Sequence, residues 1–216
     1  MVAYATNTQV RILTNLSNSD ISDADLTLVI TYATMQLNHD ISTEVVRERV
    51  DYIDATRQNK IDGSNTAYYI KNWEGKYIAD LDDDGDIDIS DVSVIKVDTS
   101  VSPNTETAAT ISTVTHNTGK IVLSSAPSNS NELYITYKWS YADCSTPSPL
   151  VKMACVLLSA AYAHAKLNWG SSPSVSFGNT RILRHMDAFD KFYRQYLRIV
   201  NQINNKMAKM SEAKGL

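Results

Sequence analysis

The chain has 216 residues, enough for one substantial domain or two small ones, and 43% of them are hydrophobic, which supports a packed core. This composition excludes an intrinsically disordered chain, and the low counts of 7 Gly and 5 Pro exclude a fibrous or low-complexity one. The net charge of −4 lacks the basic balance typical of a dedicated nucleic-acid binder.

The N-terminal sequence MVAYATNTQV has no basic segment followed by an apolar run, so we expect no signal peptide. No apolar run reaches the roughly 18 residues of a membrane span, so we also expect no membrane association. These two features favour a soluble protein made in the cytoplasm.

The first part of the chain has a helical pattern. Ser22 and Asp25 form a capping box, and Asp23 and Asp25 suit the positive end of a helix dipole. The apolar residues that follow recur at helical spacing and predict a helix over about 23–40: Leu26, Val29, Ile30, Ala33, Leu37 and Ile41. We also expect a helical turn over Gln9–Leu16 and a short segment capped by Ser42 or Thr43 that ends at Val50.

Between about Val50 and Tyr141 the pattern changes to short alternating runs. They are rich in Val, Ile, Tyr and Thr, and turn clusters such as NKIDGSN, SPNTE and HNTGK separate them. The runs are VDYIDA, TAYYIK, KYIAD, VSVIKVD, ATISTV, KIVLS and ELYITYKW. This pattern predicts a small antiparallel sheet, sandwich or barrel.

The helical pattern resumes after Trp139. Ser148 can cap a helix that has Pro149 at its first position, and 149–168 is apolar nearly all round, which predicts a helix buried on several sides. A last helix is predicted over about 180–210, with one apolar stripe. The order of elements predicts an α+β fold: a helical bundle formed by 1–50 and 145–216, with a small antiparallel β domain, 51–144, inserted in it.

The last predicted helix is also basic, within an acidic protein. Its cations are Arg181, Arg184, Lys191, Arg194, Arg198, Lys206 and Lys209. Two interpretations stay open: a solvated helix face, or a surface that faces an acidic partner or passing DNA.

Chemistry-bearing motifs are few. The sequence has no GxSxG, HExxH, P-loop or GxGxxG motif, and His39, His116, His164 and His185 are scattered, so we expect no enzyme. Cys144 and Cys155 have no metal-site spacing, and they form either a disulfide or, as we favour, two reduced thiols. The 12 Tyr suit either strand packing or protein interfaces.

The stretch DLDDDGDIDISD, residues 80–91, has the spacing of a calcium loop. With Asp80 at position 1, carboxylates fall at Asp80, Asp82, Asp84, Asp88 and Asp91, and Gly85 occupies the sharp turn. Asp86 at position 7 would offer its main-chain carbonyl. We therefore predict a structural Ca²⁺ site formed by Asp80, Asp82, Asp84, Asp86, Asp88 and Asp91; the alternative is an acidic hairpin turn without an ion.

This predicted loop differs from an EF-hand in two ways. Position 12 is Asp91 where an EF-hand has Glu, and in this respect the loop is similar to the dockerin type. The flanking runs KYIAD and VSVIKVD are typical of strands, whereas an EF-hand loop lies between helices.

Several segments together resemble the head–tail connector (adaptor) proteins of tailed bacteriophages and archaeal tailed viruses. The resemblance spans nearly the whole chain and is carried by VRILTNLSNSDISDADLTLVITYAT, RQNKIDGSNTAYYIKNW, ADLDDDGDIDISDVSVIKV, GKIVLSSAPSNSNELYITYKW and SFGNTRILR. It implies a virion structural protein of the neck, assembled in the host cytoplasm as a ring, typically of twelve subunits, around the DNA channel.

The same resemblance implies the partners. They are the portal protein on one side, a head-closure (stopper) or tail protein on the other, and other copies of the chain within the ring, with genomic DNA passing close by. Two other classes stay open: a calcium-binding β module for adhesion, suggested by the dockerin-like loop, and an enzyme of unrecognised type.

Overall fold

In the computed structural model the described residues have a mixed α+β fold of four α-helices and eight antiparallel strands. The structure describes residues 4–50, 53, 57–71, 76–84, 86–170 and 179–212, with the backbone alone described at 168–170, 179–186 and 206–212. Its contacts divide the chain into two compact units. The β unit is Ser42–Thr146, and the helical unit consists of Val2–Ile41 and Pro147–Leu216.

The helical unit contains α1 (Asn7–Thr14), α2 (Asp23–Ile41), α3 (Pro149–Gly170) and α4 (Asn179–Glu212). Half of the predicted capping box is present at the start of α2, where the Asp25 amide donates to the Ser22 hydroxyl oxygen over 3.2 Å. The Asp25 carboxylate accepts the Ser22 hydroxyl over 2.9 Å and not the Ser22 amide. At the start of α3 the Val151 amide donates to the Ser148 hydroxyl oxygen over 3.4 Å. All three long helices therefore begin within a residue of where the sequence pattern predicts.

Helix α3 forms the centre of the helical unit and packs against α1, α2 and α4. It buries residues on every side, including Val151, Ala154, Leu158 and Ala161. Contrary to the expectation that no apolar run is long enough, Pro149–Leu167 has the length and mean hydropathy (1.3) of a membrane span, although 61% of that stretch is buried within the protein. The core helix of a globular protein meets the same criterion.

A partly buried polar contact ties α2 to α4. The Tyr196 hydroxyl, in a side chain with no solvent exposure, donates to Asp40 Oδ2 over 2.5 Å, and Asn204 Nδ2 donates to the Asp40 carbonyl over 3.2 Å. Burial, and then the hydrogen bond to the Asp40 carboxylate, raise the pKa of Tyr196 far above its ordinary value, so this phenol stays protonated.

The β unit contains β1 (Ser42–Arg49), β2 (Ala67–Tyr69), β3 (Tyr77–Ala79), β4 (Val92–Asp98), β5 (Thr105–Ala108), β6 (Ile111–Thr115), β7 (Lys120–Leu123) and β8 (Asn131–Ser140). One sheet has the order β1-β8-β4-β5, with β3 also paired to β8, and the other has the order β2-β7-β6. Side chains of both sheets form one apolar core, which includes Tyr68, Ile78, Ile121 and Tyr137.

Strands β3 and β4 lie one after the other along the same side of β8. Ala79 at the end of β3 pairs with Lys138, and Val92 at the start of β4 pairs with Tyr137, the preceding residue of β8. The chain therefore leaves the sheet after Ala79 and returns one pairing step further on. Residues 80–91 form an excursion whose two ends are held next to each other.

Two expectations for this unit were wrong. The segment from Ser42 to Val50 is mostly strand β1 and not a helical segment, because β-branched residues such as Val45 pair with β8. The cluster SPNTE is only partly a turn, since Thr105 and Glu106 begin β5. Of the two interpretations of the tyrosines, strand packing holds for Tyr68 and Tyr137, which are 1% and 0% exposed.

Other expectations lie partly outside the described residues. The run VDYIDA falls largely there, and its one described residue beyond Val50, Ile53, makes an isolated bridge with Gln58.

Cys144 and Cys155 form no disulfide, and both are buried.

We expect Tyr196→Phe to lower the free energy of unfolding of the helical unit by about 1–3 kcal/mol, because it removes a partly buried hydrogen bond to a carboxylate. Urea unfolding followed by helix circular dichroism measures this change. The matched control is Tyr32→Phe, at a side chain that is 56% exposed, which should change stability by less than about 0.5 kcal/mol. Equal effects of the two substitutions would contradict the stabilising role of the Tyr196–Asp40 contact.

Candidate metal centre

The acidic loop, residues 80–91, is closed by a carboxylate from its own last residue. Asp91 lies at the end of a 3₁₀ turn, Ile89–Asp91, directly before β4. Its Oδ1 accepts the Leu81 amide over 2.5 Å, and its Oδ2 accepts the Asp88 amide over 2.7 Å. Asp91 therefore joins the first turn of the loop to the last.

This closure buries negative charge. Asp80 is 4% exposed and Asp91 is 1% exposed, although both belong to a short stretch of aspartates. Burial raises the pKa of Asp91 to about 6, the two amide hydrogen bonds oppose this rise, and the charges of Asp80 and Asp82 add to it. At neutral pH the loop therefore holds Asp91 ionised at a cost in stability.

Three of the predicted ligands come together. Asp80, Asp82 and Asp84 each offer a carboxylate oxygen, and these oxygens lie within 4.8 Å of one another. Two oxygens bound to one Ca²⁺ at about 2.3–2.6 Å can be at most about 5 Å apart, so the three fit around a single ion. Hard carboxylate oxygens on a surface loop are the ligand type that Ca²⁺ prefers.

The other predicted ligands are arranged differently. Asp88 caps the 3₁₀ turn, because its Oδ1 accepts the Ser90 amide and the Ser90 hydroxyl, each over 2.7 Å, and these bonds lower its pKa. The Asp86 amide donates to Asp84 Oδ1 over 2.9 Å. Among the described residues the close carboxylate group does not include Asp86, Asp88 or Asp91, and Gly85 lies outside the described residues.

The flanks of the loop confirm the expected difference from an EF-hand, since β3 precedes the loop and β4 follows it after the 3₁₀ turn. The ligand cluster is thus attached to a sheet. A bound ion would stiffen the connection between two strands that share the partner β8.

Sequence reasoning missed a lysine beside the loop. Lys138 Nζ on β8 lies 3.0 Å from Asp83 Oδ1, and the lysine side chain is only 11% exposed. Asp83 has a φ of 61°, in the left-handed region that aspartate tolerates better than most residues. Only the register of β8, which places Lys138 opposite Ala79, reveals this partner.

A second polar cluster lies at the end of the β unit. The Ser145 hydroxyl is 3.0 Å from His116 Nε2 and donates to Asp143 Oδ1 over 2.5 Å, while the Asp143 oxygen is 3.7 Å from the same His116 nitrogen. In a catalytic triad the serine and the carboxylate contact different imidazole nitrogens. Here both Ser145 and Asp143 lie at Nε2 of His116, so the arrangement is not that of a triad. Asp143 also accepts the amides of Ser145 and Thr146, so it orders this turn.

Comparison of the chain with protein-family models, curated proteins and solved structures found no match. The acidic loop is the feature with the clearest ligand chemistry among the described residues.

We expect the ion-free β unit to lose stability as the pH rises from about 4 to 7. The folded pKa of Asp91 is about 6 against an ordinary 3.8. The stability that Asp91 contributes to the folded β unit relative to the unfolded chain is therefore fully present below about pH 4, and it is lost as the pH rises through the folded pKa of Asp91. The loss should be about 2 kcal/mol. The pKa of Asp62 is lowered to about 2, so the stability that Asp62 contributes is lost only at lower pH. Asp62 therefore does not mask the fall in stability between pH 4 and 7.

Urea unfolding at each pH in the presence of chelator, followed through the amide NMR signals of β4 and β8, measures this loss. Asp91→Asn is the control. Because the asparagine amide does not titrate, the stability of this variant should not fall in the same way between pH 4 and 7. The same slope in both proteins would assign the pH dependence to other groups.

Proposed function

We propose that the chain is a head–tail connector of a tailed virus. It would form a ring, typically of twelve subunits, between the portal protein and a head-closure or tail protein, in the neck of the virion. One observation supports this most: the helical unit is formed by both ends of the chain, with the β unit Ser42–Thr146 between them. Connectors of the kind that the chain resembles carry a small helical bundle, and some have a β domain inserted between its helices.

In finer terms, we infer a helical bundle with an inserted antiparallel β domain. The connections at both ends of the inserted segment are short. Strand β1 begins directly after α2 ends at Ile41, and α3 begins three residues after Thr146. Such short connections suit a module placed within a bundle. In a ring, the bundle and the β domain would offer separate surfaces to neighbouring copies and to the portal.

DNA would pass this ring without being held. The net charge of −4 favours a channel lining that does not retain phosphates, and contacts to DNA would carry no sequence readout. Assembly would take place in the host cytoplasm, and the protein would act in the virion neck as a structural part and not as an enzyme.

We expect the isolated chain to be monomeric or weakly associated and to form a ring when mixed with the portal protein of the same virus. Native mass spectrometry with and without portal, together with negative-stain microscopy, tests this. A stable dimer that ignores the portal would contradict the connector function. Calcium-dependent attachment to a cell surface, without portal binding, would instead support the alternative adhesion module.

We further propose that the acidic loop binds one Ca²⁺ in a structural role. The gathered oxygens of Asp80, Asp82 and Asp84 favour this ion, and the cation would offset the burial and the carboxylate repulsion that raise the pKa of Asp91. The Asp86 carbonyl, Asp88 and Asp91 would complete the coordination. The ion would hold the β surface in shape for a neighbouring subunit or virion partner, and would not act as a switch.

We expect Ca²⁺ at about 100 times its Kd to raise the melting temperature of the β unit by about 10–15 °C in the native protein. The double substitution Asp82→Ala, Asp84→Ala should abolish this rise, because it removes two of the three gathered carboxylates. Asp86→Ala is the control, since Asp86 is expected to bind through its main-chain carbonyl, and it should keep most of the rise. If the melting curve of the native protein is the same with millimolar Ca²⁺ and with chelator, the calcium proposal is contradicted and the loop is an acidic turn without an ion.

A further inference from the structure

The two units carry opposite net charge. The β unit, Ser42–Thr146, has 9 Lys and Arg against 17 Asp and Glu, a net charge of −8. The remainder of the chain has 11 against 7, a net charge of +4. Surfaces of opposite charge attract each other and are complementary across protein interfaces.

Part of the positive charge of the helical unit lies on one face of α4. Lys191, Arg194 and Arg198 are spaced by three and four residues, so they share a face, and all three are exposed. We call these three residues the basic face of α4. With Gln195, Asp187 and Asp190 they line an open depression on the surface.

Among the described residues of the helical unit, the basic face makes an ion pair between Arg194 and Asp190. The opposite side of α4 supplies the buried residues Tyr196, Val200 and Ile203, which pack into the unit. The Arg194 side chain is 77% exposed, and its ion pair with Asp190 is long at 3.9 Å. Exposed pairs of this kind contribute little, so Arg194 can exchange this partner for a better one.

The mixed charge of the depression favours a protein over DNA. Asp187 and Asp190 stand beside the three cations and would repel a continuous row of phosphates. A protein surface can instead place individual carboxylates beside the cations. The same argument disfavours contact between the basic faces of two copies, because like charges would meet.

We propose that the basic face of α4 binds the β unit of a neighbouring copy of this chain. The inference rests on the proposed ring and names its subunit interface. The contact is head to tail, since it joins different surfaces of the two copies, and repetition of such a contact gives a closed ring or a filament. Because the attraction is between exposed charges, association of the isolated chain is weak and falls as salt rises.

Sedimentation of the full chain at about 50 mM and about 500 mM salt measures its self-association and tests whether the attraction between copies is electrostatic. We expect K191Q/R194Q/R198Q to weaken self-association at low salt by about tenfold or more. The control K60Q/K71Q/K152Q also removes three positive charges from the net −4, giving −7, at three exposed lysines elsewhere. It should associate at least as well as the native chain. Equal weakening by both variants, or association that does not respond to salt, would overturn the proposal.

A photo-cross-linking amino acid in place of Gln195 tests the identity of the partner surface. In a mixture of ¹⁴N- and ¹⁵N-labelled chains, cross-links between copies should map to residues 42–146. Cross-links to α4 of the second copy, or to added duplex DNA, would overturn the proposal. The same amino acid in place of Ala24, on the exposed side of α2, is the control and should give no such product.

The two proposals fail separately. Head-to-tail cross-links in a chain that never binds the portal would contradict the connector function alone. Rings on the portal without cross-links from position 195 into 42–146 would overturn the assigned interface alone.

Discussion

The β unit depends on one constraint of register: Ala79 and Val92 pair with consecutive residues of β8, Lys138 and Tyr137. Residues 80–91 must therefore leave the sheet and return at nearly the same point. Bringing the ends of a flexible segment together costs conformational entropy, so something must hold them. Asp91 does this through the amides of Leu81 and Asp88. The cost is electrostatic, because closure buries carboxylates next to one another.

Two sources of positive charge can offset that cost. Lys138, from the strand that imposes the constraint, pairs with Asp83 at the outer part of the loop. A Ca²⁺ ion held by Asp80, Asp82 and Asp84 would act closer to the buried pair of Asp80 and Asp91. In a connector ring such a closed loop would keep the two halves of an interrupted strand aligned when neighbouring subunits press on the sheet. A bound Ca²⁺ would then have a mechanical role that needs no change of state.

Local patterns predicted much of this structure. The periodicity of apolar residues, together with Ser22 and Ser148 as caps, predicted α2 and α3 within two residues at each end, because capping and amphipathicity are local properties. The segment Ser42–Arg49 was predicted wrongly, since its state depends on pairing with β8, about ninety residues later in the chain. The spacing of the aspartates predicted the gathering of Asp80, Asp82 and Asp84 but not the closing role of Asp91 or the presence of Lys138. Both of these follow from strand register, which a single sequence does not encode in a local pattern.

The ionisation of Asp91 tests most directly whether closure of the loop strains it electrostatically and whether a cation relieves that strain. The carboxyl ¹³C shift of Asp91, followed by NMR across the pH range with and without Ca²⁺, reports it. We expect a pKa of about 6 in chelator and a value near or below the ordinary 3.8 with Ca²⁺, because a nearby cation favours the ionised form. An Asp91 that titrates near its ordinary value in chelator, with no change on adding Ca²⁺, would contradict this account of the loop.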